Sequence, residues 1–87
     1  MEHYLILARS VTQAQRMQRA LDREGIASRV YRAPRDLTDL GCAYALRLAP
    51  RDLSRALVVL HRAGLDPIQV FAWTQGLYRE VEPWRED

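Results

Sequence analysis

The sequence predicts a single α+β domain whose strands and helices follow one another in the order β-α-β-β-α-β. The chain has 87 residues, and a chain this short buries too little surface to support two separate cores. Hydrophobic residues make up 48% of it and charged residues 28%, which is typical of a globular protein. Two segments have helical spacing of their apolar residues, and four others have the apolar content of strands.

The first strand and the first helix are predicted between His3 and Gly25. Residues 3–8 (HYLILA) form a short apolar run without helical spacing, which is typical of a strand buried on both faces. Ser10 and Gln13 have the spacing of a capping box, in which the Gln13 side chain returns a hydrogen bond to the cap. Apolar residues then recur every three or four positions, at Val11, Ala14, Met17, Ala20 and Leu21. Gly25 ends the helix because glycine readily adopts a positive φ angle.

Two further strands are predicted on either side of a polar loop. Residues 26–33 (IASRVYRA) are rich in β-branched and aromatic residues, and their arginines indicate a position at the edge of the sheet. The loop at 34–41 contains turn and cap residues and leads to Cys42. Residues 42–48 alternate along a strand, and the larger apolar side chains indicate which face turns towards the helices. Four residues share that face: Cys42, Tyr44, Leu46 and Leu48.

The second helix and the last core strand complete the pattern. Pro50 begins the helix, since a first-turn position does not need the amide hydrogen that proline lacks. The buried side of this helix is predicted from residues spaced by three or four: Leu53, Ala56, Leu57, Leu60 and Ala63. Residues 68–73 (IQVFAW) form the next strand, in which Ile68, Val70 and Ala72 are expected to share one face. Gln75 and Gly76 can then turn the chain into a short fifth strand.

This order corresponds to a ferredoxin-like fold with a core at 3–73 and a C-terminal extension at 74–87. Two right-handed crossovers place both helices on one face of a four-stranded antiparallel sheet and leave the other face bare. The apolar residues expected on that bare face form the predicted interface: Ala43, Ala45, Phe71 and Trp73. An exposed apolar surface of this size is unusual on a monomer, so we expect a homodimer. The alternative is that the tail folds back over its own sheet.

Charge and motifs argue against several functional classes. All 13 basic residues are arginine, but the net charge is only +2, so the charge does not indicate a nucleic-acid partner. The third strand also lacks the aromatic run of an RNA-recognition motif, and no nucleic-acid partner is therefore expected. No apolar run approaches the ~18 residues of a membrane span, and the first residues lack the basic region of a secretory signal, which predicts a cytoplasmic protein. His3 and His61 lack metal-ligand spacing, and the common nucleotide-enzyme and hydrolase motifs are missing. We therefore expect neither a metal site nor an independent enzyme.

Cys42 is the residue with the most distinctive chemistry, because it is the single cysteine of the chain. One cysteine excludes an internal disulfide and any site built on paired thiolates. Two interpretations remain open. In the first, Cys42 is a small buried hydrophobic residue. In the second, Cys42 is a thiolate that a partner protein can reach, because it follows the polar loop ending at Gly41 and so lies at the margin of the sheet. Arg35, in the same loop, can approach the sulfur only if the loop folds back.

Several short segments, taken in their order and spacing, resemble the putative selenium/sulfur carrier protein-like family between Tyr4 and about Trp73. They are YLIL at 4–7, EGI at 24–26, APRDL at 33–37, Cys42 ahead of ALR at 45–47, and RAGL at 62–65. The cysteine of that family is usually followed by glycine. This chain departs from the pattern, because Gly41 precedes the cysteine and Ala43 follows it.

The resemblance implies that Cys42 holds sulfur or selenium as a persulfide or selenopersulfide and passes it to a partner enzyme. Such a protein is a carrier with donor and acceptor partners, and it needs no tightly bound cofactor. A single thiol suits this role, since a second cysteine nearby could attack the product and release the atom by closing a disulfide. The alternative is a non-catalytic ligand-sensing or protein-interaction domain of the same fold, in which Cys42 is structural.

Overall fold

The computed structural model describes residues 2–33 and 44–81, which form two helices and a five-stranded antiparallel sheet. In chain order the elements are β1 (His3–Ala8), α1 (Val11–Arg23), β2 (Arg29–Arg32), β3 (Tyr44–Leu48), a 3-10 turn (Pro50–Asp52), α2 (Leu53–Arg62), β4 (Gln69–Thr74) and β5 (Leu77–Val81). Across the sheet the strands lie in the order β2-β3-β1-β4-β5. The predicted α+β class is confirmed. The sheet has five strands instead of four, because β5, which lies in the predicted extension, pairs with β4.

Strand β1 lies in the middle of the sheet, with the bounds predicted from its apolar run. It pairs with β3 on one side and with β4 on the other. Its last four residues, Leu5, Ile6, Leu7 and Ala8, are at most 4% exposed. A strand buried on both faces must find its backbone hydrogen bonds within the sheet, and a central position provides them along both edges.

Helix α1 begins at the predicted cap but closes its capping box differently. The Ser10 Oγ accepts a hydrogen bond from the Gln13 backbone N–H at 3.1 Å. The Gln13 Oε1 accepts from the Arg9 N–H at 2.6 Å, whereas the sequence predicted that it would bond to the cap residue itself. At the other end, Gly25 has φ +73°, and the Ile26 N–H donates to the Leu21 carbonyl at 3.0 Å. These two features form a Schellman cap, in which glycine takes the left-handed position.

Strand β2 is shorter than predicted, since it spans Arg29–Arg32 and not 26–33. Ile26 is 1% exposed, but its N–H is committed to the cap of α1, so it packs in the core without joining the sheet. The predicted edge position is confirmed, because β3 is the one described neighbour of β2. Three of the four residues of β2 are exposed, which agrees with the arginines in this strand.

Helix α2 begins later than predicted because Pro50 opens a 3-10 turn and not the α-helix itself. Three residues of the predicted stripe are buried in α2, namely Ala56, Leu57 and Leu60. Leu53 is half-buried, and Ala63 is exposed because it caps the helix. Gly64, with φ +71°, ends α2 in the same way as Gly25 ends α1. The Leu65 N–H correspondingly donates to the Leu60 carbonyl at 2.8 Å.

The main core lies between the helices and one face of the sheet. It joins residues of both helices to residues of three strands: Ile6, Ala8, Ala14, Met17, Leu21, Leu46, Leu48, Ala56, Leu57, Leu60 and Val70. Tyr44, Leu46 and Leu48 pack with this core, so the predicted direction of that face of β3 is confirmed for them. Both helices therefore cover the same face of the sheet.

The opposite face of the sheet was predicted to be bare, and this prediction is wrong. A second cluster of buried residues lies there, made of Leu5, Leu7, Ala33, Ala45 and Phe71. Ala45 is 0% and Phe71 6% exposed, so these two predicted interface residues have almost no free surface in the single chain. Trp73 is half-buried, and Ala43 lies outside the described residues. Ile68 was expected to share a face with Val70, but it packs against this second cluster, whereas Val70 belongs to the main core. The homodimer stays a prediction.

A two-residue turn connects β4 to β5. Thr74 and Leu77 are cross-strand partners, and between them Gln75 has φ +52° and Gly76 φ +80°. Two consecutive positive φ angles are those of a type I′ turn, whose twist matches that of the flanking strands. The first position of such a turn favours asparagine, because a larger side chain is strained in the left-handed region.

Replacing Gln75 with asparagine should raise the free energy of unfolding by about 0.5 kcal/mol, since it relieves strain at a positive φ angle. Urea denaturation of the variant and the wild type measures this difference. Gln75→Ala is the matched control, because alanine keeps the Cβ strain and should bring no gain. Equal midpoints for the asparagine and alanine variants would contradict the prediction.

Candidate functional site

The predicted carrier residue and its loop lie in the part of the chain that the structure leaves undescribed. Gly41, Cys42 and Arg35 all fall between 33 and 44. The described chain leaves β2 through Ala33 and enters β3 at Tyr44. Because Arg32 and Tyr44 are cross-strand partners, both flanks of this segment lie at one end of the sheet, which we call the Tyr44 end.

Five elements meet at the Tyr44 end: β2 and β3, which flank the undescribed segment, together with β1, α1 and β4. Tyr44 is also the cross-strand partner of Ala8, so β1 ends there and α1 begins three residues further on, at Val11. Strand β4 starts at the same end, because Gln69 pairs with Leu7. Only two peptide units separate Cys42 from Tyr44 in the sequence, and two trans peptide units span at most about 7.6 Å between Cα atoms.

Among the described residues, three positive groups and one carboxylate, that of Glu80, are found at the Tyr44 end. The N-terminus of α1 has the partial positive charge of a helix dipole. Arg9 follows β1, Arg32 ends β2, and both are exposed. Gln69 occupies the start of β4, where its Nε2 donates to a Glu80 carboxylate oxygen at 3.3 Å. Helix N-termini and arginines are the surroundings in which cysteine thiolates are stabilised.

A basic groove runs between the outer sides of the two helices. Its volume is about 590 Å³. Among the described residues that line it, one is acidic, Glu24, and four are arginines: Arg16, Arg19, Arg23 and Arg62. None of the four lies within ion-pair distance of a carboxylate among residues 2–33 and 44–81. In the sequence, the three arginines of α1 lie outside its apolar stripe, which by itself indicates no more than a solvated helix face. Arg62 joins them because the helices pack side by side, which no local pattern reveals.

An aromatic cluster occupies the end of the sheet away from Tyr44. The Trp73 ring centroid lies 4.5 Å from that of Tyr78 and 5.8 Å from that of His3. The His3 Nε2 and the Tyr78 hydroxyl are 3.3 Å apart and share a hydrogen bond. Trp73 was predicted as an interface residue, whereas the roles of His3 and Tyr78 were missed. Their contact requires β1, β4 and β5 to be neighbours.

Neither a metal centre nor a membrane span is found in the described segments. Within them, no three side chains of the ligand types His, Cys, Asp and Glu come together in a way that could hold a metal ion. His61 instead lies against a carboxylate, with its Nδ1 3.0 Å from the Asp66 Oδ1. Neither α1 nor α2 combines the length and the apolar character that crossing a bilayer requires.

Comparison with known proteins gives one match. A family model described as "Putative Se/S carrier protein-like" matches residues 3–72, a range that includes Cys42 and every described element except parts of the β4–β5 hairpin. No curated protein and no solved structure shows a significant match to the chain. Since the matched range covers most of the 87 residues, the chain belongs to the Se/S carrier protein-like family.

Proposed function

We propose that this protein carries a sulfur or selenium atom on Cys42 and delivers it to a partner protein. The observation that carries the proposal is the family match over residues 3–72. Within that range Cys42 is the single thiol, and therefore the single side chain able to form a persulfide or selenopersulfide. Cys42 is the carrier nucleophile in this proposal, and the cargo is bound only transiently.

Capture of the cargo is a thiol exchange that needs no external oxidant. The Cys42 thiolate attacks the outer sulfur of a donor persulfide, so a new S–S bond forms as the donor's S–S bond breaks. The electron pair of the broken bond leaves with the donor sulfur, which becomes a thiolate, while Cys42 becomes the persulfide. With a selenopersulfide donor the atom transferred is selenium: an S–Se bond to Cys42 forms as the donor's S–Se bond breaks, and the donor sulfur again leaves as a thiolate.

Release follows the same chemistry in the opposite sense. A thiolate of the acceptor attacks the outer sulfur or selenium, the bond to Cys42 breaks, and the Cys42 thiolate leaves with its electron pair. A second cysteine beside the site would compete by forming a disulfide and expelling the cargo. The chain has no second cysteine, so the atom can leave only to another molecule.

The charges around the site support both capture and docking. The α1 N-terminus, Arg9 and Arg32 place positive charge at the Tyr44 end, where it favours a thiolate. The basic groove between the helices favours a donor or acceptor with an acidic surface, since opposite charges steer the encounter of two proteins.

We place the carrier in the cytoplasm, where a free thiol is kept reduced. The strand and helix order supports a ferredoxin-like classification with β5 added at the β4 edge.

Loading of the purified protein tests this function directly. The reduced wild-type chain is incubated with glutathione persulfide or with the corresponding selenopersulfide, and its intact mass is then measured. We expect a mass gain of one sulfur or one selenium atom, located by peptide mapping on Cys42 and removed by an excess of a small thiol. Protein alkylated beforehand with iodoacetamide is the control. Absence of any gain on the unblocked, folded protein would overturn the proposal.

A further inference from the structure

Two arginines face each other across neighbouring strands on the sheet face opposite the helices. Arg29 and Arg47 are cross-strand partners, and both are exposed. Like charges directly opposite each other in a sheet are destabilising. In the described part of the chain, neither guanidinium lies within ion-pair distance of a carboxylate. The described residues therefore hold two positive charges together on this surface without a direct ion pair, and two acidic residues, Glu2 and Asp52, line a neighbouring cavity with both arginines.

A pocket lies beside this arginine pair, and we call it the sheet-face pocket. Its volume is about 220 Å³. Leu5 and Ala45, which are 4% and 0% exposed, form its apolar floor, and Tyr31 and Tyr78 supply aromatic rings to its lining. Arg32 and Arg47 also line it, and none of its lining residues within 2–33 and 44–81 is an aspartate or a glutamate. Small apolar cavities with a few well-placed polar groups are typical of ligand sites.

Contacts within the fold position one side of the sheet-face pocket. Tyr78 packs against Trp73 with ring centroids 4.5 Å apart. Its hydroxyl shares a hydrogen bond of 3.3 Å with the His3 Nε2, and His3 is itself 8% exposed. These contacts limit the motion of the Tyr78 ring before any ligand arrives. A side chain that is already ordered loses less conformational entropy on binding.

We propose that the sheet-face pocket binds a small aromatic anion, namely a single aromatic or heteroaromatic ring with a carboxylate or phosphate group. The ring lies over Leu5 and Ala45 in contact with the tyrosines, and the charged group binds Arg47. Guanidinium groups bind both head groups through paired hydrogen bonds and also stack on flat rings. A volume of 220 Å³ is below the roughly 300 Å³ at which drug-sized ligand sites begin, which favours one ring over a larger ligand.

Protection of a sheet edge does not account for this arrangement. Charged residues on an edge strand prevent pairing with other chains, and β2 is such a strand, so Arg29 and Arg32 have this explanation. Edge protection does not explain Arg47, because β3 lies between β2 and β1 and is therefore an inner strand. Arg47 also lies directly opposite Leu5 of β1, at the border between the arginine pair and the apolar floor. The binding proposed here is independent of cargo transfer by Cys42.

Binding is tested with the full-length protein labelled with ¹⁵N, by following amide chemical shifts during titration. Benzoate and phenyl phosphate are the probes, and they distinguish the two head groups. Benzamide supplies the ring without the charge, and acetate the charge without the ring. We expect benzoate or phenyl phosphate to shift the amides of Leu5, Tyr31 and Ala45 at millimolar concentration, and neither control compound to do so.

Variants identify the residues responsible. Arg47→Gln should weaken binding about tenfold or more, since it removes a charge-assisted hydrogen bond. Arg79→Gln, at an exposed position of β5 outside the lining of the sheet-face pocket, is the matched control and should leave binding unchanged. A well-dispersed spectrum shows that each variant is folded. The proposal is overturned if benzamide binds as well as benzoate, if the shifts lie elsewhere, or if Arg47→Gln has no effect. It is also overturned if single-stranded RNA binds this face while neither small anion does.

Discussion

Replacing Cys42 with serine is expected to abolish loading of both sulfur and selenium. Serine keeps nearly the same size but presents a hydroxyl, which is not ionised near neutral pH and forms no persulfide. The intact mass of the serine variant should therefore stay unchanged after incubation with glutathione persulfide or the selenopersulfide, while the wild type gains one atom. Release is compared in the same way: the loaded wild-type chain should transfer labelled sulfur to a second thiol, and the serine variant should transfer none.

The same variant separates the carrier from the alternative in which Cys42 is structural. A carrier thiol that a partner can reach makes few packing contacts, so we expect Cys42→Ser and Cys42→Ala to change the unfolding midpoint little. A cysteine that fills the core would instead give an unstable serine variant, because a buried hydroxyl without a partner is unfavourable. Loss of stability together with unchanged loading would contradict the role proposed for Cys42.

Replacing Leu60 with alanine is expected to cause the largest loss of stability. Leu60 is 0% exposed and belongs to the core that joins α2 to the sheet. Truncating a fully buried leucine leaves a cavity and removes about 3 kcal/mol from the free energy of unfolding. Native proteins are stable by only about 5–15 kcal/mol in total, and small domains lie towards the lower end. The variant should therefore unfold at a clearly lower urea concentration.

Val58 provides a matched control for this prediction, because it lies on the same helix but is 38% exposed. Val58→Ala should change the free energy of unfolding by no more than about 0.5 kcal/mol, as is usual for surface positions. Circular dichroism at increasing urea concentration compares the two variants with the wild type. If both substitutions had the same effect, α2 would not bury the face that the structure assigns to it.

Elements whose signals are local could be predicted closely from the sequence. The apolar run at 3–8 coincides with β1, and Ser10 caps α1 as expected. Gly25 has the positive φ angle that its position at the end of α1 predicted. Each of these features depends on interactions between residues a few positions apart, so the order of the residues is sufficient to indicate them.

Elements whose bounds depend on competing interactions were predicted less well. Ile26 has the side chain of a strand residue, but its backbone completes the cap of α1, and β2 starts later as a result. The Gln13 side chain similarly bonds to Arg9 and not to the cap. In both cases two satisfactory hydrogen-bonding arrangements were available to the same residues, and the folded backbone selected one of them.

The sequence by itself determined the secondary-structure order and the presence of one thiol, Cys42, within the range matched by the carrier family. Only the tertiary structure decided that Arg62 joins the arginines of α1 in one groove and that Tyr31 and Tyr78 line one pocket. Those contacts join residues far apart in the chain. They depend on which strands and helices become neighbours, and burial of apolar surface decides this over the whole domain, because the hydrophobic effect is not directional.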